Sequence, residues 1–241
     1  LNSSGQAALN FDIGQEWSAV FGRPQPNMRN RWGTTCNTTR SGTPGGVAIL
    51  SRRPLPLSEL DVWKGDPHLV RVWKRVWATG RIVHALTATG KGNCPAHIFE
   101  VYGWSGALQG REPAFTNTER LLTDLALILA ALGDVPILVM GDFNTTFLKS
   151  PALAAILHTG RYFDAALAYA ERTNTEMECT HFPPRKEPSR IDSALINIQA
   201  LAALKNFKVL NDDDNLFGHH RAILMAFAWE RTNQTFKAWR P

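Results

Sequence analysis

The sequence predicts a mixed α/β domain, and two observations predict it. Apolar segments of strand length fall into hairpin-like pairs, and between them lie stretches whose apolar residues recur at helical spacing. That order does not fit a simple parallel βαβ array. "GGVAIL", from Gly45 to Leu50, is a short strand opening out of a Gly/Pro/Ser/Thr-rich loop, and "SRRPLPL" stops it. "GRIVHALTA" and "AHIFEVYGW" are strands around the turn-rich "TGKGNCP", which makes a hairpin. From Thr118 to Leu132 the period changes: Leu121, Leu125, Ile128, Leu129 and Leu132 share a helical face, with Thr116 and Glu119 placed as a capping box and Gly133 as a stop. Asp134 and Pro136 break this helix, and "ILVM" follows as a buried strand. Ser150 and Pro151 suit the N-cap and first helical position of "PALAAILHT", closed by Gly160, and "FDAALAYAERT" has helical spacing. "IDSALIN", "NFKVLNDD" and "RAILMAFAW" complete the chain as strands.

With 241 residues, 44% of them hydrophobic, the chain can bury a sizeable core, and it shows no repeat, low-complexity block or linker. One domain over residues 1–241 is expected. No apolar run approaches the roughly 18 residues of a membrane helix, and "LNSSGQAALNFDIGQEW" has neither the basic nor the apolar region of a secretion signal. The expectation is a protein that makes no use of a membrane; because the chain begins at Leu1, an upstream piece is allowed for. Cys36, Cys94 and Cys179 are odd in number and lack CxxC spacing, which argues against a disulfide framework or a cysteine zinc site and suits a reducing, intracellular compartment. The net charge of +5 suits a polyanionic partner, although a modest excess is often only solubility. "VWKGDPHLVRVWKRVW" concentrates it, interleaving Lys64, Arg71, Lys74 and Arg75 with Trp63, Trp73 and Trp77 in a mixture that can track a nucleic-acid backbone and stack on bases. The plainer expectation for this segment is a strand pair with tryptophans inward and cations solvated.

Polar residues stand at the ends of the apolar strands: Tyr102 after "HIFEV", Asp142 and Asn144 after "ILVM", and His219 and His220 before "RAILMAF". Asp192 lies within "SRIDSALIN", where a charge in an apolar strand needs a partner. These residue types suit phosphodiester hydrolysis. That reaction needs a cation against nonbridging oxygens, a base or water-orienting carboxylate, and donors for the charge building on phosphorus. Each residue also has an ordinary reading: Gly141 and Asn144 as turn formers, Tyr102 as a cover for the core, Asp192 paired with Arg190 or Arg221, and the histidines as loop residues. His84, His97 and His181 carry no signal of their own.

"GGVAIL", "VYGWSG", "GDFN", "SRID" and "GHHRAI", in this order and at these intervals, resemble the endonuclease/exonuclease/phosphatase family, most of all the endonuclease domain of non-LTR (LINE-type) retrotransposons. The resemblance runs from about Trp17 to Phe227. It implies a four-layer α/β/β/α sandwich of two mixed sheets with helices outside, and a DNA endonuclease dependent on Mg²⁺ or Mn²⁺. By the same resemblance Asp142 and Asn144 are the pair at the scissile phosphate, Tyr102 contacts that phosphate, and Ser105 assists. Asp192 orients the catalytic histidine, His220; Asp142 and His219 stand at the metal; Arg71, Lys74 and Arg75 remain the nucleic-acid contacts. The implied partners are DNA and the rest of a retroelement polyprotein containing a reverse transcriptase, in the nucleus if the chain is retroelement-derived.

Two departures from the pattern matter. The family's metal-binding glutamate has no match, because Gln15-Glu16 leads into "SAVFGRPQP", a segment that follows the true glutamate in the pattern; the first strands are therefore expected to be missing. His219 stands where the pattern has an aspartate, and imidazole is a poorer ligand for Mg²⁺ than carboxylate. Weak or absent activity is thus an expectation for this chain. The alternatives are a catalytically dead relic that binds nucleic acid, and a phosphatase or phosphodiesterase of the same family acting on a small molecule.

Overall fold

The computed structural model describes residues 16–23, 46–52, 57–58, 66–89, 94–210 and 218–229. Gln15, Cys36, Trp63, Lys64 and residues 90–93, on which the expected hairpin turn falls, lie outside them. The fold is mixed α/β. It divides into two compact units, residues 1–87 with 98–102 and residues 88–97 with 103–241.

In the first unit, strands β1 (Trp17–Phe21) and β2 (Ala48–Arg52) pair antiparallel, Trp17 opposite Arg52 and Phe21 opposite Ala48. The short β3 (Leu57–Ser58) pairs antiparallel with β4 (Ile82–Thr89), which neighbours β5 (Cys94–Tyr102). Val20, Val47, Ile49, Val83 and Ala85 form the core, with Trp77, Ile98 and Tyr102 packed against it.

The basic, tryptophan-rich segment is not a strand pair but helix α1 (Pro67–Trp77). Asp66 caps it by accepting the His68 and Leu69 N–H groups, and Pro67 occupies the first turn, where a missing N–H costs nothing. Val72 and Val76 are fully buried, and Trp73 lies 5.8 Å from Trp77 and edge-on to Phe99. Burial of this apolar stripe outweighs the β preference of Val and Trp. Arg71, Lys74 and Arg75, at helical spacing, are exposed.

In the second unit, β6 (Ile137–Asp142) runs antiparallel to β8 (Asp192–Asn197), which pairs on its other side with β7 (Tyr162–Asp164). β9 (Leu204–Val209) and β10 (Ile223–Phe227) make a separate antiparallel pair. Helix α2 (Ala114–Ala131) buries Leu121, Leu122, Leu125, Ile128 and Leu129, but begins before the expected capping box. Thr116 donates instead to Glu112, and the Glu119 carboxylate accepts the Ala152 N–H at 2.9 Å, so the box does not form. Helix α3 (Pro151–His158) starts as its sequence dictates, with the Ser150 hydroxyl accepting from Leu153 N–H. Asp164 caps α4 (Ala165–Thr173), and Asn197 caps the short α5 (Ile198–Ala203), an element the sequence pattern did not signal. Leu138, Ala165, Ala194, Ile196, Ala200 and Leu204 form the core beneath these elements. Among the described residues no helix is long and apolar enough to cross a membrane.

Candidate active site

The register of β6 and β8 places Asp142, the last residue of one strand, directly opposite Asp192, the first of the other. Side chains opposite in an antiparallel pair lie on one face, with Cβ atoms about 4.5–5.5 Å apart, so pairing alone brings two carboxylates together. Gly141 precedes Asp142 with φ of 142°, a conformation open to glycine and rarely to other residues.

Beyond the strand, Asn144 takes a left-handed turn at φ 51°, which asparagine tolerates better than most residues. Its N–H donates to Asp142 Oδ1 at 2.8 Å, and its Nδ2 donates to Asp142 Oδ2 at 3.0 Å and to the Gly103 carbonyl at 3.3 Å. Both amide hydrogens thus have acceptors, and Asn144 holds the Asp142 carboxylate from two directions. Gly103 N–H donates to the Asp142 carbonyl at 2.8 Å, an approach so close that a Cβ on Gly103 would sit 2.0 Å from the Phe143 carbonyl oxygen. Gly103→Ala is therefore expected to cost about 1–3 kcal/mol or more and to displace the Asp142 turn. Urea unfolding checks this; unchanged stability would show that the turn gives way freely.

On the other strand, Asp192 accepts from His220 Nδ1 at 2.9 Å through Oδ2 and 3.2 Å through Oδ1. This is the pairing expected from the sequence. It directs Nε2 away from the carboxylate. The buried Thr180 hydroxyl clips the Asp192 backbone, accepting its N–H at 3.1 Å and donating to its carbonyl at 3.2 Å. Arg190 pairs with Asp164 through both guanidinium nitrogens, and Arg221 lies over the Phe182 ring at 3.8 Å.

Asp142, Asp192 and His220 each present a ligand atom, all within 4.8 Å of one another. The Asp142 carboxyl is raised from 3.8 to about 6, chiefly by burial and then by the Asp192 charge, against which the Asn144 bonds and His220 pull down. Two carboxylates, the Asp142 one raised by burial, beside an imidazole form a donor set that suits a divalent cation.

The model of the endonuclease/exonuclease/phosphatase family matches residues 5–205. The chain belongs to that family. Its membership supports a phosphodiester-hydrolysing function. Comparison with curated proteins by sequence gave no match. Solved structures share the fold at low identity. A 3′ phosphatase from Neisseria, bound to a product DNA hairpin, is 18% identical with a TM-score of 0.57, over 95% of this chain and 86% of that one. The endonuclease domain of TRAS1, a telomere-specific non-LTR retrotransposon, is 13% identical with a TM-score of 0.54, over 90% of this chain and 81% of that one. An AP endonuclease from Archaeoglobus fulgidus is 14% identical with a TM-score of 0.58, over 94% and 85%.

Within this family member, then, Asp142, Asn144, Asp192 and His220 come together in the second unit. His219 stands outside that group: its side chain is exposed, and its carbonyl accepts the Phe182 N–H at 2.8 Å. Ser105 is exposed in a turn. Tyr102 belongs to the first unit, where its N–H donates to the Arg81 carbonyl and the Arg81 guanidinium lies 4.9 Å from its ring. His84, stacked on Phe99 at 4.4 Å, and His97, whose pKa burial lowers to about 4, are core residues. His181, which carried no sequence signal, packs on His220 with ring centroids 4.6 Å apart. Burial, and the neighbouring His220 next, hold its pKa below the ordinary value.

Proposed function

We propose that the chain is a metal-dependent phosphodiesterase that nicks DNA. The observation that carries this is the convergence of the Asp142–Asn144 pair with the Asp192–His220 dyad at one point. Asp142, with Asp192 beside it, would hold a divalent cation, which when bound neutralises the nonbridging phosphate oxygens. His220 Nε2 takes a proton from the attacking water while Asp192 keeps the Nδ1 hydrogen and stabilises the imidazolium. The water oxygen bonds to phosphorus, one P–O ester bond breaks, and the leaving oxygen departs to be protonated. Asn144 fixes the orientation of Asp142; to contact the phosphate as well, its amide would exchange the Gly103 or Asp142 bond for the new one. DNA as the substrate draws support from the neighbour bound to a DNA hairpin, from the endonuclease neighbours, and from the cations on the exposed face of α1.

The test is supercoiled plasmid incubated with Mg²⁺ or Mn²⁺. Nicked circles are expected at a low rate with either ion, since the candidate group offers the cation two carboxylates, one of them engaged by His220. Salt-sensitive binding without nicking under either ion would instead favour a relic that only binds nucleic acid. Replacing Arg71, Lys74 and Arg75 with Gln is expected to weaken plasmid binding and to flatten its dependence on log salt by about 0.9 for each phosphate no longer neutralised. An unchanged slope would remove α1 from the interface.

A further inference from the structure

Building on the phosphodiesterase reading, we propose that His181 is a positioning residue for His220: its ring forms the wall that keeps His220 Nδ1 on Asp192 and Nε2 toward the reacting water. The geometry begins in the backbone. His181 forms isolated antiparallel bridges with both Ser189 and His220, so its backbone lies between theirs. His181 exchanges both backbone bonds with Ser189 at 2.9 Å, while Phe182 N–H donates to the His219 carbonyl at 2.8 Å and Arg221 N–H to the Thr180 carbonyl at 2.6 Å. Residues facing each other across an antiparallel bridge have side chains in contact. The two imidazoles accordingly lie with centroids 4.6 Å apart and planes tilted by 41°.

His181 is itself fixed. Its Nδ1 is 3.3 Å from the Ser189 hydroxyl, which sets the ring plane independently of His220. The His220 side chain is 36% exposed, so loose solvent, not packed protein, borders much of it. A ring anchored at Nδ1 in such surroundings can swing about χ1 and lose its line to the water unless something firm stands beside it. Thr180, next to His181, ties the same segment to Asp192, so the carboxylate, the wall and the imidazole are referenced to one stretch of backbone.

The experiment compares His181→Ala, His181→Phe and Ser189→Ala in the full chain. Nicking kinetics are read with Mn²⁺, and the His220 ring is followed by ¹⁵N-edited NMR. His181→Ala is expected to lower kcat about tenfold with little change in KM, and to broaden or lose the Nδ1–H signal of His220. His181→Phe, which keeps a flat ring, should restore most of both. Ser189→Ala should give a smaller loss in the same direction, which serves as the test if His181→Ala does not fold. Loss and rescue of the NMR signal without nicking by any variant would support the positioning role while sinking the phosphodiesterase reading. An unchanged His220 signal in both His181→Ala and Ser189→Ala would overturn the proposal. So would a His181→Phe variant as impaired as His181→Ala, since the imidazole nitrogens would then be acting in their own right.

Discussion

His220→Ala is expected to lower phosphodiester cleavage by roughly 10³- to 10⁴-fold while leaving the fold intact. Water attacks phosphorus poorly unless its proton is accepted as the bond forms, and a positioned imidazole contributes about 10²- to 10⁴-fold in that role. On the proposed mechanism the substitution removes the base, which Asp192 holds at 2.9 Å, and with it the part of that carboxylate in the reaction. Stability should change little, because the His220 side chain is 36% exposed and supports no apolar core. Asp192→Asn keeps the shape but no longer stabilises the imidazolium, so its loss should approach that of His220→Ala. Single-turnover nicking of plasmid measures both. Cleavage by His220→Ala within about threefold of the parent chain would remove His220 from catalysis.

Asp142→Asn is expected to have the second large effect, with a readout that does not depend on turnover. The variant removes a carboxylate from the candidate metal group, so cleavage should fall by about 10³-fold, the several kcal/mol of charge stabilisation that a bound cation supplies. The thermal stabilisation that Mn²⁺ confers on the parent chain by binding the folded state should shrink with it. A pH effect accompanies these changes. The Asp142 carboxyl is raised from 3.8 to about 6 in the fold, by burial first and by Asp192 second. A raised carboxyl means that the folded state holds the proton more tightly than the unfolded chain. Its contribution is therefore full below pH about 4 and is lost as pH rises through about 6, an effect of at most about 2–3 kcal/mol. Without added metal, the parent should lose stability across that window and Asp142→Asn should not; added Mn²⁺ should restore the parent near neutral pH by supplying the missing counter-charge. Parallel pH–melting curves for the two proteins, with and without Mn²⁺, would count against both the metal site and the raised carboxyl.

The sequence by itself determined the elements whose signals are local. The strands around "GGVAIL", "HIFEV", "ILVM" and "DSALIN" carry their own apolar pattern, and α3 carries its Ser-Pro start, because strand period and cap chemistry act over a few neighbouring residues. "GDFN" likewise announced a turn delivering a carboxylate and an amide. Helix α1 was expected as a strand pair, because Val and Trp favour strands; its Asp66-Pro67 start is a local helix signal, but the packing of Trp73 on Trp77 and Phe99 resolved the competition. At α2 the Thr116/Glu119 pattern was satisfied elsewhere, because Ala152 N–H offered the Glu119 carboxylate a partner from a distant part of the chain. The Asp192–His220 pair was expected from the motif resemblance, and the 2.9 Å contact agrees with it. Tertiary structure alone decided the other encounters: Asp142 meets Asp192 through the β6–β8 register, and His181 meets His220 through an isolated bridge. No spacing in the sequence encodes these, for they depend on how separate strands align, and a shift of one residue would turn the same side chains to the opposite face.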